Sequence, residues 1–86
     1  MDIQIDAHTL RRAEERGTNE VEIRDAILTG EPIPAREGRL ARAKVYPYGR
    51  VRNGKRYAQK RVEVFFVKED HGIVTVTVYV FYGKWR

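Results

Sequence analysis

His8, Arg12, Glu15 and Arg16 stand at i, i+4, i+7 and i+8, so on a helix turning 100° per residue they share one stripe. An imidazole beside two guanidinium groups can do a definite piece of chemistry. The guanidiniums hold a phosphodiester and stabilise the charge that builds on it when a ribose 2′-hydroxyl attacks, while the imidazole moves the proton. That reaction needs no metal and no cofactor. Thr77 and Tyr79 sit two apart in an alternating apolar run. They add a hydroxyl able to bond a phosphate oxygen and a ring able to stack a base. His8, Arg12 and Arg16 on the helix and Thr77 and Tyr79 on the strand are therefore the residues that could carry chemistry. The same residue types also make an ordinary solvated helix face with Arg–Glu pairs and an ordinary strand.

Charge points to the ligand. Residues 1–35 hold four Arg against eight Asp and Glu, residues 36–61 hold ten Lys and Arg against Glu37 alone, and residues 62–86 balance three against three. The net +5 is thus the product of one short segment. Tyr46, Tyr48 and Tyr57 lie in that segment among Arg50, Arg52, Arg56 and Arg61. Rings interleaved with cations are what single-stranded RNA or DNA requires: stacking surfaces along an electrostatic track. These seven residues form the candidate nucleic-acid-binding set. A basic hairpin that is merely solvated has the same composition.

Other chemistries are excluded by content. The chain has no Cys, which removes disulfides, thiolate metal sites and Cys nucleophiles, and it has no Ser. Its two histidines, His8 and His71, belong to no cluster with zinc-ligand spacing, so no metal site is expected. Neither GxGxxG nor GxxxxGK[ST] occurs, so no nucleotide cofactor is expected. No apolar run approaches the length of a membrane span, and no signal peptide is visible; the expectation is a soluble, cytoplasmic protein.

The elements that must position these groups can be read in turn. At 86 residues the chain is one domain, 1–86. Asp6 caps a helix over about Ala7–Arg16, which Gly17 ends. Asn19 caps a second helix, with Glu22 completing a capping-box-like pair, and Gly30 and Pro32 stop it. The helical hairpin thus covers about 6–30. Asn53-Gly54 is a strong two-residue hairpin signal between strands Arg39–Tyr48 and Lys55–Val67. A register centred on it sets Tyr46 opposite Arg61 and Val45 opposite Val62. Pro47 demands an edge. Asp70-His71-Gly72 turns into a last strand, Ile73–Tyr82, on which Val74, Val76, Val78 and Val80 share one face and meet Leu10, Ala13, Ile23 and Ile27. A brief Ile3–Ile5 strand can precede the first helix. The predicted fold is α+β: an N-terminal helical hairpin on one face of a twisted antiparallel sheet of three to four strands, about 39–82, its other face half open.

The run from His8 through Arg12, Arg16 and Gly17 to Asn19, with Val76-Thr77-Val78-Tyr79 near the end, resembles a bacterial family known as domain of unknown function 4258. Thr9 replaces a usual Ala and Ala13 a usual Met, and the basic hairpin is longer than the resemblance leads one to expect. The layout is similar to the RelE-like and barnase-like group of small toxin ribonucleases. That resemblance implies metal-independent cleavage of RNA by His8, Arg12, Arg16, Thr77 and Tyr79, and restraint by an acidic antitoxin chain. A non-enzymatic nucleic-acid-binding module and a protein-interaction domain stand beside it. The catalytic reading requires His8 and Thr77 to border one cleft.

Overall fold

The computed structural model of the chain describes residues 2–85, so Met1 and Arg86 lie outside the described residues. Asp6 starts α1 (Ala7–Arg16), its carboxylate accepting the Thr9 N–H at 2.8 Å. Gly17 ends it in the left-handed region, φ 93°, with its N–H on the Ala13 carbonyl. Asn19 repeats the device for α2 (Glu20–Thr29), accepting the Glu22 N–H at 2.9 Å. The capping box is only half made. The Glu22 carboxylate turns instead to the Thr18 hydroxyl and to Lys60, both at 2.8 Å.

The strands described are β1 (Asp2–Gln4), β2 (Glu31–Pro32), β3 (Leu40–Arg52), β4 (Lys55–Glu69) and β5 (Gly72–Gly83), in the order β1-β5-β4-β3-β2. The expected α+β layering holds, but the sheet is larger than expected and mixed. β1 pairs parallel with β5, and it begins one residue earlier than the Ile3–Ile5 reading. Its parallel direction follows from its lead into α1, which packs along β5. The two-residue β2 gives little signal: Pro32 cannot donate, and the strand pairs with β3 only at Arg42 and Ala43. Pro47 therefore does lie on an edge.

Two irregularities correct the expected registers. Next to the Asn53-Gly54 turn the pairs are Arg52–Lys55, Val51–Arg56 and Arg50–Tyr57, as the turn predicts. A bulge between Pro47 and Arg50, where Gly49 takes φ 63°, then slides β3 by one residue. Tyr46 consequently faces Lys60 rather than Arg61, and Val45 faces Arg61 rather than Val62. Because a slip of one exchanges faces, Lys44 and Tyr46 join Lys60 and Val62 beneath the helices. On β5 the pairing passes from Phe66–Thr75 to Phe65–Thr77, leaving Val76 without a partner. The four valines therefore do not share a face. Ile73 and Thr75 point to the helices before the bulge, Val78 and Val80 after it.

The helix contact changes accordingly. Thr75 is 1% exposed, its hydroxyl accepting the Asp6 N–H at 3.2 Å and donating to the Thr9 hydroxyl at 3.0 Å. Thr9, not Leu10, joins Ala13 as a buried residue of α1: Leu10 is 39% exposed. Small side chains at Thr9 and Ala13 let the helix lie close on the strand. Ile23, Ala26 and Ile27 of α2 complete the core against Val62, Val64, Phe66, Ile73 and Val78. No helix among the described residues is long and apolar enough to cross a membrane.

Candidate nucleic-acid interface

The basic hairpin is tied to the end of α1. A helix leaves its last carbonyls without partners and carries partial negative charge there. Three side chains from distant strands meet this need. Arg52 donates to the Glu15 carbonyl at 3.0 Å, Tyr82 to the Arg16 carbonyl at 2.6 Å, and Lys60 to the Gly17 carbonyl at 2.8 Å. Lys60 is 8% exposed and also faces Glu22 at 2.8 Å, so its charge is both buried and paired. Arg52 lies 4.8 Å over the Tyr82 ring, against which Tyr48 and Tyr57 pack with centroids at 5.0 and 5.7 Å. Burial raises the Tyr82 hydroxyl above the ordinary tyrosine range, with Arg52 acting the other way. Gly17 is fixed twice over: its φ is positive, and a Cβ there would collide with the Tyr82 hydroxyl and the Arg52 guanidinium.

Alternation places the second group on the uncovered sheet face. The pairs Arg61–Phe81, Glu63–Tyr79 and Phe65–Thr77 all project there, away from the helices. Tyr79 and Phe81 are 41% and 48% exposed, which is unusual for large rings on a sheet. Phe65 meets Tyr79 edge to face at 5.7 Å, and Tyr79 lies near-parallel to Phe81 at 6.5 Å. The three make a row. Arg16 reaches this row from the helix side: its Nη1 donates to the Val78 carbonyl at 2.7 Å, and its guanidinium lies 4.8 Å over Tyr79. It can do so because β1 pairs only with Gly72–Val74, leaving the rest of that edge of β5 without a strand among the described residues.

The structure joins some of the expected residues and separates others. Arg16 and Tyr79 come together. Arg12 is held by Glu15 at 2.7 Å on the helix surface. His8 is exposed, and no hydrogen bond among the described residues orients its ring. Thr77 projects beside Phe65 from the sheet face that α1 does not cover, whereas His8 stands in the first turn of α1. Of the seven binding candidates, Tyr46 is half-buried under α2. Its hydroxyl donates to Asp25 at 2.6 Å, and burial followed by that carboxylate pushes its pKa up. Arg52 closes α1, Arg56 donates to the Gly49 carbonyl at 2.8 Å, and Arg61 pairs with Glu63 at 2.9 Å on the uncovered face. Tyr48, Arg50 and Arg52 line a concavity beside the end of α1 with Lys60 and Gly17. Sequence reasoning missed Tyr82, Lys60, Phe65 and Phe81. The alternation of Tyr79 with Phe81 was a signal for the last of these; Tyr82 and Lys60 depend on the bulges, which leave little trace in composition.

No protein-family model, curated protein or solved structure matches this chain.

Proposed function

We propose that the protein binds single-stranded RNA across the uncovered face of its sheet, with the basic β3–β4 ribbon steering the phosphate backbone. The supporting observation is the row Phe65, Tyr79, Phe81, two of whose rings stand open to solvent with the Arg16 guanidinium against one of them. Stacking a base on such a ring contributes about 1–3 kcal/mol and tolerates any sequence. Rings that stack unpaired bases cannot engage a duplex in the same way, so single strands are the preferred form. The reading is of a cytoplasmic protein, since that is where its ligand is found.

The test is fluorescence anisotropy with a labelled oligouridine against Tyr79→Ala/Phe81→Ala. Loss of both rings should weaken binding by about 30-fold or more, two stacking contributions at the low end of their range. The melting temperature should fall only modestly, because both rings are already about half exposed. An unchanged affinity, or a wild-type protein that binds no oligonucleotide at low salt, would sink the proposal.

Cleavage of that RNA by a metal-independent, toxin-type mechanism, with an acidic antitoxin as restraint, is the second reading. Arg16 favours it, because this residue carries a helix-borne charge around the edge of β5 to Tyr79. The unoriented His8 ring and the position of Thr77 rank it second. Incubation with single-stranded RNA in EDTA decides: 2′,3′-cyclic phosphate ends that disappear in His8→Ala while binding persists would promote it. Intact RNA at saturating wild-type protein would remove it.

A further inference from the structure

We propose that the concavity beside the end of α1, on the helix side of the sheet, is a subsite for a phosphomonoester at one end of the bound RNA, which reaches it from the uncovered face around the β5 edge where Arg16 lies against Tyr79; the inference rests on the RNA reading above and adds to it. The hollow has a volume of about 430 Å³ and is lined by Tyr48, Arg50, Arg52 and Lys60, with Glu22 as the carboxylate in its wall. Three cations against one anion leave a formal +2. An internal phosphodiester carries a single negative charge, whereas a terminal phosphomonoester carries about −1.5 to −2 at neutral pH, because its second pKa is near 6. The charge of the hollow matches the end of a chain better than its middle.

Donor accounting supports the same assignment. Arg52 donates one N–H, on Nη2, to the Glu15 carbonyl, while a guanidinium has five. Lys60 spends two of its three on the Gly17 carbonyl and Glu22. The Tyr48 hydroxyl and the Arg50 guanidinium make no hydrogen bond among the described residues. Two of the four side chains are therefore held in place by α1 and α2 with donors to spare, and the other two have spent none. A charged acceptor with several free lone pairs is what such a group of donors is built to take. Lys60 and Arg52 lose little freedom on binding, because the fold has already ordered them.

The chemistry is shared by a 5′-phosphate, a 3′-phosphate and free inorganic phosphate, and the experiment separates them. Oligouridines of one length with a 5′-phosphate, a 3′-phosphate or hydroxyls at both ends are titrated against wild type and against Arg50→Gln/Tyr48→Phe. Neither substitution removes a hydrogen bond of the fold, and the Phe ring keeps its contact with Tyr82. One phosphorylated end should bind about tenfold more tightly than the hydroxyl-ended oligomer, the effect of one or two charge-assisted hydrogen bonds, and the double variant should erase that difference. Equal affinities for all three oligomers would overturn the subsite and leave the RNA reading intact. Failure of every oligomer to bind would overturn the RNA reading. Inorganic phosphate that still shifted the amide resonances of Tyr48 and Arg50 would then show a site for the free anion alone, and the RNA-end assignment would fall.

Discussion

Lys60 ties the two helices together, since its ammonium joins the end of α1 to Glu22 at the start of α2. Replacing one member of a buried ion pair strands the other, so Lys60→Met should cost about 3 kcal/mol, read as a lowered urea midpoint with unchanged slope. Asp25 has a different signature. Hydrogen bonds from Lys44 (2.7 Å) and then Tyr46 hold its carboxyl down from 3.8 to about 2. A group whose pKa is lower in the folded state adds stability above its unfolded value and loses it as the pH falls through the folded one. Melting temperature should therefore drop between about pH 4 and pH 2, and Asp25→Asn should flatten that limb of the curve. A wild-type curve already flat in this window would show that the contact carries no linkage. The caps at Asp6 and Asn19 and the ending at Gly17 were legible from residue type alone, because each depends on groups within three or four positions. Lys60 was not, because its partners are 38 and 43 residues away.

At the scale of elements, both helices fall where sequence periodicity and caps put them, and the errors gather in the strands. The Asn53-Gly54 turn sets the register only as far as Arg50. Beyond it Pro47 and Gly49 allow an extra residue, and nothing local announces which side takes it. The same holds at Val76, where an unbroken Val-Thr alternation hides a bulge. There the outcome is decided by a buried contact, the Thr9–Thr75 hydroxyl pair, that no period-two count can contain. The candidate site was legible in its charge and in Tyr79; its true neighbours, Phe65, Phe81 and Tyr82, follow from registers that the bulges control. One consequence can be measured on α1. Tyr82→Phe removes the donor to the Arg16 carbonyl while keeping the ring, so stability should fall by about 1 kcal/mol. Amide exchange should accelerate in the last turn of α1 and leave the first turn, held by Asp6, unchanged. Uniform acceleration along the helix would contradict the local role given to Tyr82.

Over the whole molecule, 43 Å in its long dimension, charge is polarised. Asp2, Glu69 and Asp70 gather around the β4–β5 turn, while Arg50, Lys55 and Arg56 surround the tip at the other end of β4. A polyanion should be drawn to one end. Single-stranded RNA affinity should fall with salt at a log–log slope of about −0.7 per phosphate neutralised. Arg50→Gln/Lys55→Gln/Arg56→Gln should flatten that slope by about two such increments, whereas changing His71 at the acidic end should leave it alone. The three groups that close α1 come from 37, 43 and 66 residues further along the chain. Such a helix ends locally at Gly17 but cannot satisfy its last carbonyls on its own. Its last turn has to wait until both later hairpins have assembled, which raises contact order and slows folding relative to a bundle of the same size. In kinetic terms, substitutions at Gly17 or Tyr82 should speed unfolding and barely touch the refolding rate, with φ-values close to zero.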